Sequence, residues 1–225
     1  MSEFMRNSDA FAWAMEHDAS LRSTVVTIIM LDRSPDWDVL VDRFERIGRA
    51  VPMFRQRVVE MPPPAPPLWE VDPDFDIDYH VRRVIAPHPG TLDTVLEMAR
   101  RAEMDEFDRA RPLWETTLVD ELADGGSALI CKVHHSLTDG IGGVQIAMLL
   151  FDLTEEPRDL GPLPPEPEAA SPGRLDGVRH VLQYDAGLVT KLAREVVADL
   201  PVAAAKAMLH PRQTARDVLE TTASV

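Results

Sequence analysis

The chain is poor in cysteine, in basic side chains and in long apolar runs. Its single cysteine, Cys131, excludes an internal disulfide framework and fits a reducing compartment. Apolar runs such as Val25–Leu31 fall far short of the roughly 20 residues that a membrane-spanning helix needs. The first residues lack a charged stretch followed by an apolar one, so a cytoplasmic location is expected and a secretory signal is not.

Acidic residues outnumber basic ones by a wide margin. The chain carries 38 Asp and Glu against 23 Lys and Arg, which gives a formal net charge of −15. A nucleic-acid backbone would repel such a protein, and so would an anionic lipid surface if attachment were purely electrostatic. The hydrophobic content of 45% is ordinary for a globular protein, and 225 residues suffice for one sizeable core.

Hydrophobic periodicity predicts an α/β fold in which helices and strands are interspersed. The predicted strands are Ser23–Leu31, Phe54–Glu60, Ile77–Ile85, Leu113–Leu122 and Ser127–His134, the last two joined by a hairpin turn at 123–126. The predicted helices begin at Ser8 or Asp9, at Ser34-Pro35, at Thr91 and at Val144, the last of these buried. The second predicted helix has its apolar face at Trp37, Leu40, Val41, Phe44 and Ile47, and the third at Leu92, Val95, Leu96 and Ala99.

Composition changes after residue 154. We expect a first domain at 1–155, a proline-rich acidic linker at 156–173 that is semi-rigid or crosses the domain, and a helical segment at 174–225. The alanine-rich end of that segment, Val202–Leu209, is expected to pack on another domain rather than to touch a membrane interface, because its charged face is not strongly basic.

The most informative segment is His134-His135-Ser136-Leu137-Thr138-Asp139-Gly140, which follows the apolar run 128–133. Histidine takes and returns a proton near neutral pH. Side chains alternate along a strand, so two adjacent histidines face opposite ways. We therefore assign chemistry to His135 and a packing or hydrogen-bonding role to His134. Such a pair offers one ligand on each face, which disfavours a metal site.

The residues after the histidines include an aspartate and three glycines. Asp139 is predicted to be structural, and Gly140, Gly142 and Gly143 permit a close backbone turn. Gly142 and Gly143 either leave backbone N–H groups free for a developing oxyanion or form a tight turn with no ligand. The pattern does not decide between these two interpretations.

Four segments together resemble one enzyme family. They are Ser8-Asp9-Ala10-Phe11, Pro52-Met53-Phe54-Arg55-Gln56-Arg57, Arg111-Pro112-Leu113-Trp114-Glu115 and Val133–Gly140. The last contains HHxxxDG, the signature of the coenzyme A-dependent acyltransferase superfamily. In this order, from about Met5 to Thr154, the segments resemble the bacterial wax ester synthase/diacylglycerol acyltransferases.

The resemblance implies a fold and a reaction. The fold is a chloramphenicol acetyltransferase-like two-layer α/β sandwich with a mixed, largely antiparallel sheet, followed by a helical linker segment. The reaction moves a long-chain fatty acyl group from acyl-CoA, a co-substrate, to the hydroxyl of diacylglycerol or of a long-chain alcohol, with no bound cofactor and no metal. His135 is the expected general base, and Asp139 holds the turn through an arginine.

The resemblance also implies partners and leaves alternatives open. Pro112, Leu113, Trp114 and Glu115 either line the acyl pocket or place a tryptophan in an ordinary strand core. Family members carry a second, similar domain, so a C-terminal half of the same enzyme is an expected partner, with peripheral contact to the inner membrane or lipid droplets. The alternatives are a condensation-type acyltransferase with carrier-bound substrates, a non-catalytic lipid-binding domain and, least favoured, a metal hydrolase.

Overall fold

The computed structural model describes residues 3–62, 65–137, 146–152, 154 and 158–168. The chain divides into two units, Met1–Ser171 and Pro172–Val225, and every described residue belongs to the first. The strands are β1 (Glu3–Phe4), β2 (Thr24–Leu31), β3 (Gln56–Val59), β4 (Leu68–Val71), β5 (Val81–Ile85), β6 (Trp114–Asp120) and β7 (Ser127–His134). The helices are α1 (Asn7–Met15), α2 (Trp37–Ala50), α3 (Ile77–His80) and α4 (Leu92–Met104), and 3-10 turns cover Pro52–Arg55 and His135–Leu137.

The described strands form two sheets. A small antiparallel sheet has the order β1-β4-β3. The larger sheet has the order β2-β7-β6-β5, antiparallel except for the parallel pair β5–β6. This mixed, largely antiparallel arrangement confirms the predicted fold class. The long pairing of β2 with β7, from Thr24 opposite His134 to Leu31 opposite Ser127, fixes the end of the strand that carries the histidines.

The two faces of the larger sheet bury different clusters, because side chains alternate along each strand. On one face α4 packs Val95 and Ala99 against Val119, Ala128 and Ile130. The other face contributes to the main core, whose buried members include Trp13 of α1, Phe44 and Ile47 of α2, and Leu118 and Leu129 of the sheet. His135, the predicted general base, follows β7 and lies on this second face.

Most predicted elements are confirmed. The helix ending at Met15, the strand ending at Leu31, and the hairpin formed by β6 and β7 agree closely with the structure. In the hairpin turn, Gly125 has a φ of +82°. A Cβ atom on Gly126 would lie 2.5 Å from the carbonyl oxygen of Leu31, so the adjacent strand leaves no room for a side chain there.

Three predicted element boundaries are wrong, and one strand was not predicted. The N-cap of α2 is Asp36, whose side chain accepts from the N–H groups of Asp38 and Val39, whereas the Ser34 hydroxyl bonds to Asp120 instead. The segment beginning at Phe54 is a 3-10 turn before it becomes β3. The first four residues of the predicted strand Ile77–Ile85 form α3, capped by Asp76. Strand β4 follows the proline-rich loop and was not predicted.

Two predictions of helix burial are only partly confirmed. Helix α4 buries Val95 and Ala99, but Leu92 and Leu96 remain about half exposed. Residues 146–150 are helical, as predicted, yet Met148 is 49% exposed and only Leu150 among them is buried. Helical spacing identified the correct face of α4, and the covering element decides how much of that face is buried. The prediction of a buried helix after Val144 is wrong at Ala147 and Met148, which are exposed.

The described part of the proline-rich segment, 158–168, lies against arginines of α2 and of the 3-10 turn that follows it. Arg46 donates to the carbonyl oxygens of Leu160, Gly161 and Pro162 at 2.9 to 3.2 Å. Arg49 donates to Pro164, and Arg55 to the carboxylate of Glu166. Prolines leave carbonyl groups without a helix or sheet partner, and the guanidinium groups supply the missing donors.

Candidate active site

The two adjacent histidines separate at the end of β7. His134, the last residue of the strand, is fully buried, whereas His135 is exposed. The backbone N–H of His135 donates to the carbonyl oxygen of Ser23 at 2.8 Å, which continues the pairing with the β2 side beyond the strand end. The strand alternation therefore persists through this pair, and the two imidazoles point to opposite faces.

His134 is held by hydrogen bonds at both ring nitrogens. The backbone N–H of Ser136 donates to Nδ1 at 3.1 Å, and the Ser136 hydroxyl lies 2.6 Å from the same atom. Because Nδ1 accepts, the neutral ring carries its proton on Nε2, which donates to Oε2 of Glu16 at 3.2 Å. Burial lowers the pKa of His134, although the Glu16 carboxylate opposes that shift.

Aromatic rings enclose His134 on its buried side. Trp13 and Phe107 meet it edge-on, with ring centroids at 5.9 and 6.2 Å. The loop that carries Phe107 is fixed by Lys132, whose ammonium donates to the carbonyl oxygen of Asp105 and lies 4.2 Å from the Phe107 ring centroid. These contacts surround the buried ring of His134 with packing and hydrogen-bonding partners.

His135 lies at one end of an apolar groove of about 350 Å³. Three strands of the larger sheet form its floor, and α2, the turn at Pro52–Arg55 and residues 146–151 form its sides. The lining residues are Val25, Thr27, Ile29, Phe44, Phe54, Trp114, Thr116, Cys131, Val133, His135, Ile146, Ala147, Leu150 and Phe151. A long apolar surface of this kind that ends at a histidine suits an aliphatic chain.

The sheet register gives the groove its direction. Val133 pairs with Val25 and Trp114, and Cys131 pairs with Thr27 and Thr116 in the next layer along the strands. Ile29, opposite Leu129, marks a third layer. At about 3.4 Å per residue, the six residues from Leu129 to His135 correspond to roughly 20 Å of strand. The groove therefore runs along the strands toward His135.

Of the four predicted acyl-pocket residues, Trp114 lines the groove. Its indole N–H donates to the carbonyl oxygen of Phe54 at 2.8 Å, and its ring stacks on Phe44 and His80. Trp114 is thus both a core residue and part of the groove wall.

The other three predicted pocket residues lie elsewhere. Leu113 is fully buried in the main core, and its carbonyl oxygen accepts from the N–H of His134. Glu115 faces the opposite side of β6 from Trp114 and lies 3.7 Å from Arg82. Pro112, which is also buried, precedes the strand and accepts from the backbone N–H of Trp114. Strand alternation explains why Glu115 does not share the face of Trp114, whereas Pro112 and Leu113 precede the strand.

Cys131 faces the groove rather than a closed interior. Burial raises the pKa of its thiol to about 11, so the thiol is protonated at neutral pH and is a poor nucleophile. Thr116 is its hydrogen-bond partner. The thiol therefore contributes a small, weakly polar surface at the middle of the groove and no covalent chemistry.

Asp139, Gly140, Gly142 and Gly143 lie outside the described residues, so their roles remain predictions. Within the described ranges, no three His, Cys, Asp or Glu side chains converge as metal ligands, and no helix is long and apolar enough to span a membrane. Sequence reasoning missed Glu16 and Ser23, which support the histidines, and Phe44, which lines the groove. The available signal for Glu16 was an acid directly after the apolar helix that ends at Met15.

Comparison with solved structures defines the fold. The first condensation domain of the calcium-dependent antibiotic synthetase aligns with 67% of this chain at a TM-score of 0.56 and 15% identity, over 36% of its own length. That likeness shows the fold alone: the α/β sandwich shared by chloramphenicol acetyltransferase-like acyltransferases and condensation domains.

The family follows from closer matches. The model of the wax ester synthase/diacylglycerol acyltransferase catalytic domain matches residues 5–224, and the chain belongs to this family. A Mycobacterium tuberculosis protein named as a diacylglycerol O-acyltransferase is 38% identical over 209 residues, 91% of this chain and 42% of that protein. The wax ester synthase/diacylglycerol acyltransferase of Marinobacter aquaeolei VT8 aligns with 72% of this chain and 41% of its own, with 28% identity and a TM-score of 0.58. The chain thus spans about two fifths of the length of these relatives.

Proposed function

We propose that this chain is part of an O-acyltransferase that moves a long-chain acyl group from acyl-CoA to the hydroxyl of diacylglycerol or of a long-chain alcohol. The observation that carries the proposal is the position of His135 at the end of the apolar groove. The family match supports the same chemistry, since two relatives are named for acyl transfer to diacylglycerol or for wax ester synthesis.

In this mechanism the acyl chain occupies the groove and its thioester carbonyl lies beside His135. Each methylene taken out of water contributes about 0.8 kcal/mol, so a long chain binds much more tightly than a short one. The aromatic rings of Phe44, Phe54 and Trp114 contribute to that apolar contact. Binding of the acyl chain thereby positions the thioester carbonyl, which has few binding groups of its own.

His135 acts on the acceptor. Its imidazole removes the proton of the acceptor hydroxyl as the oxygen attacks the carbonyl carbon, and a tetrahedral intermediate forms. Collapse of the intermediate breaks the C–S bond, and the imidazolium returns the proton to the leaving coenzyme A sulfur, which leaves an ester and a free thiol. General-base assistance of this kind is worth about 10²–10⁴-fold in rate. Gly142 and Gly143 are the proposed oxyanion donors, and Asp139 and Gly140 the residues that hold the turn.

Acyl-CoA is a co-substrate in this proposal, and the step needs no bound cofactor or metal. The acceptor is a membrane or storage lipid, so we propose a cytoplasmic protein with peripheral contact to the inner membrane or a lipid droplet. Because the groove is open at the exposed side chains of Val25 and Thr27, we propose that a C-terminal half like that of the longer relatives completes the substrate site.

The proposal is tested by measuring thiol release from palmitoyl-CoA with dioleoylglycerol or hexadecanol as acceptor. The chain is assayed alone and with the C-terminal half of the M. tuberculosis relative supplied separately, each beside His135→Ala. Acceptor-dependent release that His135→Ala abolishes supports the acyltransferase, and the better acceptor defines the substrate class. Release that persists in His135→Ala contradicts the assigned base. Absence of release under both conditions, with acyl-CoA still bound, contradicts the enzyme and favours the lipid-binding alternative.

A further inference from the structure

Glu16 directly follows α1 and forms hydrogen bonds with Ser23 and His134, the two residues that hold His135 in place. Its Oε2 atom accepts from the backbone N–H of Ser23 at 3.1 Å and lies 3.2 Å from Nε2 of His134. The carbonyl of the same Ser23 residue accepts from the N–H of His135 at 2.8 Å. Oε2 of Glu16 therefore connects His134, which precedes His135 in the chain, to Ser23, which accepts from the backbone N–H of His135.

A buried carboxylate such as that of Glu16 destabilises the folded state unless hydrogen bonds replace its contacts with water. Glu16 is 8% exposed, and a carboxylate is almost never buried to that degree without partners. Its other oxygen, Oε1, has no hydrogen-bond partner among the described residues. All the hydrogen bonds that the described structure gives this carboxylate thus go to Ser23 and His134.

The network also fixes the ring state of His134. The Ser136 N–H donates to Nδ1, so the neutral ring presents Nε2–H to Glu16. Loss of the Glu16 acceptor would leave that N–H buried and unpaired, and the ring could then relieve the penalty only by moving. A movement of His134 is transmitted directly to His135 because the two residues share a peptide bond.

We infer that Glu16 is a positioning residue for acyl transfer, which acts through His134 and Ser23 to hold His135 at the end of the groove. Glu16 does not line that groove and needs no contact with the substrate. Its required property is an oxygen at the reach of a glutamate side chain that accepts two hydrogen bonds. The predicted effect of Glu16 on the rate rests on the proposed function, whereas its predicted effect on the ring of His134 does not.

The experiment compares Glu16→Gln, Glu16→Asp and Glu16→Ala with the parent protein, assayed with the C-terminal half that supports turnover. Gln retains an amide oxygen at the same reach, whereas the shorter Asp side chain cannot reach both donors at once. A misplacement of about 1 Å can cost on the order of 100-fold in rate, so kcat should fall about 10- to 100-fold in Glu16→Asp and Glu16→Ala. Glu16→Gln should recover most of that loss, and KM for acyl-CoA should change little in all three.

Glu60→Ala is the matched control. Glu60 accepts from the indole N–H of Trp13, on the helix that Glu16 follows, but makes no contact with His134 or Ser23 in the described structure. Its kcat should stay near that of the parent. Parent-like kcat in folded Glu16→Asp overturns the inference, and so does a loss in Glu16→Gln as large as in Glu16→Ala. If Glu16→Ala fails to fold, the comparison of Gln with Asp decides alone.

A second measurement separates this inference from the proposed function. Nitrogen-15 NMR of the imidazoles should show the Nε2–H form of His134 in the parent and in Glu16→Gln, and a changed signal in Glu16→Asp. An unchanged His134 signal in Glu16→Asp overturns the inference even if the protein is active. If the parent shows the expected signals but no acyl transfer, the proposed function fails while the Glu16 network stands.

Discussion

The imidazole of His80 stacks on the indole of Trp114, with 4.5 Å between ring centroids and an interplanar angle of 17°. Its Nδ1 lies 2.6 Å from the carbonyl oxygen of the same tryptophan and donates to it. His80 is fully buried, and its Nε2 has no partner among the described residues. The wall of the groove is therefore braced from behind by a histidine that must stay neutral.

The neutral state of His80 predicts a loss of stability in mild acid. Burial lowers its pKa to about 4, from about 6.5 in the unfolded chain. Between these values the unfolded state binds more protons, so the free energy of unfolding decreases as pH falls below 6.5. From pH 7.5 to pH 5 His80 should account for about 2 kcal/mol of that decrease. Urea unfolding at the two pH values measures it.

His80→Gln is the comparison for that measurement, because it retains an N–H donor and cannot be protonated. The variant should show a smaller decrease by about the same 2 kcal/mol. Burial also lowers the pKa of His134, so part of the pH dependence should remain. Equal pH dependence in the variant and the parent would contradict the assignment to His80.

Removal of each of the two adjacent histidine side chains should have a different effect on the free energy of unfolding. His134→Ala leaves a cavity and removes a buried partner of Glu16, so the free energy of unfolding should fall by about 3 kcal/mol. His135→Ala removes an exposed side chain and should change it by less than about 0.5 kcal/mol. Denaturant unfolding of both variants checks the pair. A similar loss in both would mean that His135 is also structural.

A bulky side chain in the groove should select against long acyl chains. Thr27 is exposed on β2 and faces the groove, so Thr27→Trp fills space without replacing a core residue. Exclusion of even two methylenes costs about 1.6 kcal/mol, so kcat/KM for palmitoyl-CoA should fall at least about tenfold. The value for a short acyl-CoA should change little. Met30→Trp, on the same strand but on the opposite face, is the control and should leave the chain-length profile intact.

Removal of Arg46 should release the segment 158–168. Arg46 is buried and donates to three carbonyl oxygens of that segment. Arg46→Ala should therefore increase proteolytic cleavage within 158–168 and lower the melting temperature. Arg100→Ala removes an exposed arginine that pairs with Glu97 on α4, and should do neither. Equal cleavage in the two variants would show that Arg46 does not hold the segment.

Local signals explain why much of the fold could be predicted. The run from Thr24 to Leu31 is rich in β-branched residues, and the turn glycines at 125 and 126 mark the hairpin. The errors occur where a tertiary contact overrides the local pattern. Ser34 satisfies the capping pattern but bonds to Asp120, far along the chain, and Asp36 caps the helix in its place. The sequence around Ser34 contains no sign of that distant carboxylate.

The candidate site divides in the same way. The HHxxxDG motif singled out His135 as the candidate base, and strand alternation predicted that His134 would face away from it. Both predictions depend only on residues that are neighbours along the chain. The Pro112–Glu115 segment illustrates the limit of such local reasoning, since Trp114 is the one residue of its four that lines the groove.

By itself, the sequence determined the family, through the resemblance of its ordered motifs. It also determined the strand that ends at the histidines and the opposite orientation of the two rings, because short-range periodicity encodes these two features. Only the tertiary structure decided that Glu16, 118 residues before His134, accepts its Nε2–H, and that Thr27, Cys131 and Thr116 share one layer of the groove. Such relations depend on the register between distant strands and on the packing of α1, and both are fixed when the whole core forms.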